Sequence, residues 1–384
     1  MINKISFKNY KVFKNKQILE LKPITILIGK NNVGKSAILK LPTLIEGSLS
    51  GNFDSPFQLE NYEVKIANEY SDVIYGKQFK ALELELFQDD LLSKETNRLE
   101  THILINKGRP EIEHWKLNDF IPTNPKYKGI NIIKSTENTE IFQLPVFNIT
   151  TDFIGAVRQD AKSNYDYTID YGEKSKTDGS NLYEFLINDY LTTDKKYFNR
   201  ISNWIRDKFE GWELSIEVDG YKKELPALIE LQRSNLKINL SQTGMGITQS
   251  LPLITRAFKP CEEETLIIIE EPESHLHPYA HAQLAQLFAE SLKEDSNKKY
   301  LIETHSQNFI LRLRRLVAEG FLEMTDLGIY YVDFDEAKNE SVLTEINVDV
   351  AGGVAWWPDG IFGETTLEAR AIMNANINDL RNVD

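Results

Sequence analysis

The sequence has a single cysteine, Cys261, among 384 residues. That excludes an internal disulfide and any zinc site built from several thiolates, and it suits a reducing compartment. No cysteine-protease pattern surrounds Cys261 to make it a nucleophile. Long hydrophobic runs are missing too. Stretches such as Pro23–Gly29 fall far short of the ~20 apolar residues that span a bilayer, and the first residues carry no apolar region followed by a cleavage site. A cytoplasmic protein with no membrane partner is expected. Positive charge is also in deficit: 44 Lys and Arg against 58 Asp and Glu leave a net charge of -14. This argues against binding nucleic acid through overall basicity and leaves open only a focal contact or one made by a partner. No internal repeat or low-complexity tract is present, and no heptad pattern lasts the three or four heptads of a long coiled coil.

What is present fits a folded enzyme. Hydrophobic content of 41% and charge of 27% are ordinary for a globular chain, and the length suits two or three units or an α/β enzyme with an insertion. Residues 1–51 read as strands, a glycine loop and a helix, with Pro42 bending that helix before Gly47. Residues 52–150 alternate apolar and polar positions in stretches such as "FKALELELF" and predict a β-rich insertion. Residues 151–224 hold short amphipathic helices, "NLYEFLINDYL" and "KKYFNRISNWIRDKF". Residues 225–320 return to strands and helices, and 321–384 begin with a hairpin pattern to form a small α+β extension.

The chemistry starts at Gly29–Ser36, "GKNNVGKS", a full match to G-x-x-x-x-G-K-[ST]. Gly29 and Gly34 permit a tight loop, so that backbone N–H groups through Asn31 and Asn32 point at phosphate oxygens, aided by the partial positive charge of the following helix. Lys35 reaches the terminal phosphates and Ser36 ligates Mg²⁺, which makes ATP and Mg²⁺ the expected cofactors. A glycine turn before an ordinary helix is the bland reading, which the strand before and the helix after oppose.

A P-loop needs a partner strand. In "TLIIIEEPESHLHP", Thr265–Pro278, four apolar residues end in acids. The expectation is that this strand lies beside the P-loop strand, with Glu270 holding Mg²⁺ through water and Glu271 polarising the attacking water. The order resembles the Walker B element of ABC ATPases, in which the first acid is usually Asp; Glu adds one methylene. In "LIETHS", His305 ends another apolar strand, where that class places a γ-phosphate sensor. In "SQTGMGITQSLPLI", Ser241, Gly244 and Gly246, with Gln249 flanking, resemble the ABC signature, which closes on nucleotide held by a second subunit.

Together with "ISFKNYKVFKN" at the start, these elements resemble the SMC-like, OLD-type ATPases of the ABC class, over about residues 1–50 and 236–312. "FIGAVRQDAKSNY" and "DGSNLYEFL" fit as the middle of the same fold. The resemblance implies a P-loop NTPase of ABC/SMC-like type with a mixed sheet, and makes Lys11 or Phe13 a nucleotide contact. It also implies a homodimer, or a higher oligomer, around two ATP and Mg²⁺. A separate effector such as a nuclease follows from the missing Toprim pattern, in anti-phage defence or DNA metabolism. A nucleotide-gated scaffold with negligible turnover and a RecF-like repair ATPase remain as alternatives; a transporter motor does not, since the signature is not Leu-Ser-Gly-Gly-Gln. His275, His277 and His281 either form a metal site or, as the resemblance implies, belong to the D-loop facing the second subunit. "VAWWPDGIFGE" resembles the tail of short family members, with Trp356 and Trp357 expected to plug a core.

Overall fold

The run Ile24–Gly29 is buried at every position, and a strand that is apolar on both faces needs a layer against each. The computed structural model describes residues 1–90, 94–134, 144–166, 172, 174–218, 226–358, 360–362 and 368–373. Strands β1 (Lys4–Lys8), β2 (Gln17–Glu20) and β3 (Ile24–Gly29) lead into helix α1 (Lys35–Leu49). Strands β4 (Leu82–Asp89), β5 (Thr96–Asn106), β6 (Arg109–Leu117) and β7 (Thr150–Ile154) follow, then helices α2 (Asn181–Tyr190) and α3 (Lys196–Lys208). A small sheet of β8 (Glu213–Glu217), β9 (Leu228–Arg233) and β10 (Leu236–Asn239) precedes α4 (Met245–Phe258). The chain then runs through β11 (Thr265–Glu270), α5 (Pro278–Glu294), β12 (Lys298–Glu303), α6 (Gln307–Ala318), β13 (Leu327–Asp335) and β14 (Glu340–Glu345).

The central sheet has the order β7-β11-β12-β3-β13-β14, parallel except for the last pair. Because successive side chains on a strand face opposite ways, these buried strands feed two cores. Ile26, Ile28, Ile267, Ile269 and Ile302 meet α2 to α6 on one side. Leu27, Leu266, Ile268 and Leu301 meet α1 and the antiparallel sheet β2-β1-β4-β5-β6 on the other. Each fully buried Leu or Ile contributes on the order of 1.5–3 kcal/mol. The strands of segment 52–150 are thus not set apart, since β4 pairs with β1. The hairpin that opens segment 321–384 likewise joins the central sheet, with β13 against β3.

One expectation is corrected. The strand beside β3 is β12, not β11: the chain leaves β11 through α5 and returns between β11 and the P-loop strand. Helix α1 runs through Pro42 and Gly47 to Leu49. Gly47 serves a close approach, because a Cβ there would stand 2.0 Å from Asn61 Oδ1. Among the described residues no helix is long and apolar enough to cross a membrane.

Candidate functional site

Strand β3 ends at Gly29, whose φ is 151°, and a Cβ there would meet Val332 O at 2.2 Å. Only glycine lets β13 pass this close. Asn32 (φ 64°) and Gly34 (φ 105°) then turn the loop into α1. No side chain caps α1 and no acid stands in its first turn, which leaves the positive end of the helix to an anion. Lys35 is buried, and its Nζ donates to Gly29 O at 3.0 Å and Lys30 O at 2.7 Å. The same ammonium lies 3.4 Å from Glu303 Oε1, while Ser36 Oγ donates to Glu303 Oε2 at 3.2 Å.

The acids arrive from the adjoining strand ends, with Glu270 and Glu303 in register as the last residues of β11 and β12. Glu271 follows in the left-handed region (φ 42°), its N–H donating to Glu303 O at 2.9 Å. Its carboxylate accepts from Ser274 Oγ at 3.0 Å and lies 3.9 Å from His305 Nε2. Ligand atoms of Glu271, Glu303 and His305 all fall within 4.8 Å of one another. Glu270 accepts from Ala156 N–H at 3.4 Å. Burial pushes its carboxyl above the ordinary value, Lys40 opposes that shift and Glu303 adds to it. Burial also raises Glu273, which accepts from the His305 N–H.

A cavity of about 630 Å³ is lined by Lys11, Asn31, Asn32, Gly34, Lys35, Ser36, Lys40, Glu271 and Glu303. A neighbouring cavity of about 370 Å³ shares Asn31 and adds Gly29, Lys30, Thr304, His305 and the turn Gly360–Phe362. Lys11 donates to Ile66 O at 2.8 Å, and burial lowers its pKa. Phe13 is fully buried and packs edge-on against Phe7 at 5.3 Å, so of the two expected contacts only Lys11 lines the cavity. Glu270 does not line it either, whereas Glu303 does.

The signature residues stand elsewhere. Ser241 lies in a short turn, bonded to Asn239 Oδ1 at 2.6 Å. Gly244 and Gly246, at the start of α4, line a separate cavity of about 890 Å³ with Trp212, Leu276, His277 and Tyr279. The three histidines of the segment do not converge. His277 caps α5 by accepting from Tyr279 N–H at 3.3 Å, and His281 bridges Ser306 Oγ at 2.8 Å and Leu276 O at 3.0 Å. Trp357 packs on the main core and donates to Ile361 O at 3.0 Å, while Trp356 is 39% exposed, so the tail plugs a core through one indole only.

Two residues escaped sequence reasoning. Glu303 had a signal, an acid ending the apolar run of "LIETHS". Arg158 lies within "FIGAVRQDAKSNY", but nothing in that stretch shows its role, which lies in carbonyls contributed by distant segments, Gln249 O at 3.1 Å, Glu270 O at 3.0 Å and Glu271 O at 2.6 Å.

The donor set fits a polyphosphate with Mg²⁺. A hydroxyl and carboxylate oxygens converge as a hard cation requires, beside a glycine turn, an uncapped helix end and a lysine. The sequence family described as "AAA ATPase domain" matches residues 1–310. No curated protein matches the chain in sequence. Among solved structures, an SMC head bound to the C-winged helix domain of ScpA is 13% identical, with 90% of this chain and 98% of that one covered at a TM-score of 0.50. An SMC head from Thermotoga maritima (13% identity, 90% and 99% covered) has a TM-score of 0.47. One derived from Pyrococcus furiosus, with an extended coiled coil and the C-terminal domain of ScpA (11% identity, 90% and 96% covered), has 0.49. The match over residues 1–310 places this chain in the AAA ATPase domain family, and its fold is similar to that of an SMC head.

Proposed function

We propose that the protein binds ATP with Mg²⁺ at Gly29–Ser36 and hydrolyses it, as half of a composite site that a second copy completes with Ser241, Gly244 and Gly246. The observation that carries this reading is the meeting of three chain segments: Lys35 and Ser36, then Glu271, then Glu303 and His305. Lys35 and the loop N–H groups hold phosphate oxygens, and Lys11 faces the same cavity. Ser36 and Glu303 would hold the cation, with Glu270, in register with Glu303 on the next strand, as a further acid. When bound, that cation neutralises charge on the β and γ phosphate oxygens. Glu271 orients a water and takes its proton, and His305, within ion-pair distance of Glu271, contacts the terminal phosphate.

Placement supports a second copy. Gly244 and Gly246 line a cavity that contains no P-loop residue, so within one chain they do not close the site. The SMC head of similar fold is bound to a domain of ScpA, which supports a partner protein here as well. By the resemblance of its motifs, we take that partner to be a separate effector such as a nuclease, in anti-phage defence or DNA metabolism, with both proteins in the cytoplasm. Steady-state phosphate release, measured together with mass by light scattering, tests the reading. ATP-dependent dimers that release phosphate support it. Dimers without release turn it into a nucleotide-gated scaffold, and neither dimer nor release in the presence of the partner would remove it.

A further inference from the structure

Arg158 follows β7 in the turn Gly155–Arg158 and is 3% exposed. A buried guanidinium must place its donors, and this one gives them to main-chain carbonyls of three segments. Nη2 donates to Glu270 O at 3.0 Å and Glu271 O at 2.6 Å, Nη1 to Gln249 O at 3.1 Å, and Nε to Gly155 O at 3.3 Å. The side chain of Gln249 answers by donating to Arg158 O at 3.4 Å. Burial lowers the Arg158 pKa to about 10, with Glu273, Glu271 and Glu270 opposing the shift, so it is a cation at neutral pH.

Each end of this bridge lies beside an irregularity in the backbone. Glu271 has a positive φ of 42°, a region that non-glycine residues occupy when the surroundings hold them there, and one that concentrates at functional sites. Its N–H is held by Glu303 O at 2.9 Å and its carbonyl by Arg158. On the other side, Pro252 lies inside α4 and removes the N–H that Thr248 O would receive. The Tyr183 hydroxyl takes that carbonyl at 3.0 Å, and Arg158 takes the next one, Gln249 O. Helix α4 begins at Met245, directly after Gly244, and contains Gly246.

We propose that Arg158 is a positioning residue that couples Glu271 to the signature helix α4, so that aiming the water-orienting acid and presenting Gly244 and Gly246 to a second copy become one conformational event. The inference rests on the composite-site reading above. Arginine suits the task because its planar fork spans carbonyls on two elements at once, whereas a lysine ammonium is a single point of charge.

The test compares Arg158→Lys and Arg158→Gln with Tyr183→Phe, which removes a buried hydrogen bond to the neighbouring carbonyl of α4 without touching the acids. Binding of a fluorescent ATP analogue, phosphate release and amide hydrogen exchange across residues 241–249 are measured on each full-length variant. Arg158→Lys should bind the analogue within about threefold of wild type, since Lys35 is intact. Its kcat should fall about tenfold or more with little change in KM, as for an interaction made only in the transition state. ATP should alter exchange across 241–249 in the wild type and in Tyr183→Phe but not in Arg158→Lys. Equal losses in Tyr183→Phe and Arg158→Lys, tracking melting temperature, would make Arg158 a packing residue and overturn the proposal. So would an ATP effect on 241–249 that survives in Arg158→Gln. A wild type that neither dimerises nor releases phosphate would sink the composite site itself, and the coupling with it.

Discussion

Ser36 and Glu303, 267 residues apart in sequence, share a hydrogen bond of 3.2 Å between Oγ and Oε2. The other oxygen of that carboxylate is 3.4 Å from Lys35 Nζ, so one acid on β12 faces both functional side chains of the P-loop.

The cation test follows from this pair. Glu303→Gln keeps the shape but removes a charge from the expected Mg²⁺ shell. The Mg²⁺ concentration for half-maximal phosphate release should rise roughly tenfold or more, by loss of a hard charged ligand. Glu270→Gln, made in parallel, should raise it less, because Glu270 does not line the cavity. A rise in Glu270→Gln alone would leave Glu303 as a partner of Lys35 and nothing more.

Lys35→Ala should weaken ATP binding by calorimetry, since it removes a buried ammonium that faces the cavity. A loss of one charge-assisted contact is worth about 1.5–3 kcal/mol, or roughly tenfold to a hundredfold in affinity. Unchanged affinity would refute the P-loop assignment.

Much of this site is legible in the sequence because a phosphate cradle is built from contiguous residues: Gly29 to Ser36 carry their own turn, and Glu271 and His305 each end an apolar run. The remainder depends on pairing. That β12 separates β11 from β3 is a property of strand order, and it alone puts Glu303 rather than Glu270 against Ser36. Arg158 is invisible for the same reason, since its partners are carbonyls and any residue type supplies a carbonyl. The packing role of Gly47 is hidden likewise, since the residue it makes room for, Asn61, belongs to another segment.

Glu271→Gln keeps size and hydrogen-bonding capacity but not the base. ATP and Mg²⁺ should still bind, hydrolysis should drop by roughly 10²- to 10⁴-fold, and an ATP-locked dimer should accumulate in light scattering. Mixing Glu271→Gln with Gly246→Asp chains then tests sharing. In a mixed dimer the site with a native acid from the Gly246→Asp chain meets a native signature from the other, so release above the sum of the separate variants is expected. No recovery on mixing argues that each chain works alone.

A last prediction concerns stability rather than turnover. Lys298 opens β12 with its side chain buried, and its Nζ donates to Ala257 O at 2.7 Å with Asp295 Oδ2 at 3.6 Å. Burial, with Arg256 adding to it, pulls its pKa down to about 8, while Cys261 and Asp295 oppose the shift. Between about 8 and the ordinary 10.5 the unfolded chain holds a proton that the native protein has released. More protons bound in the unfolded state mean that stability rises with pH across that window. At about 1.4 kcal/mol for each pH unit the full effect is no more than about 3.5 kcal/mol. Other lysines and tyrosines titrate nearby, so the quantity to follow is the difference in unfolding free energy between wild type and Lys298→Met, from urea melts at steps from pH 7.5 to 10. That difference should shift in favour of the wild type as pH rises. A difference that stays flat would mean that Lys298 keeps its proton throughout, held by Ala257 and Asp295 more strongly than burial opposes it.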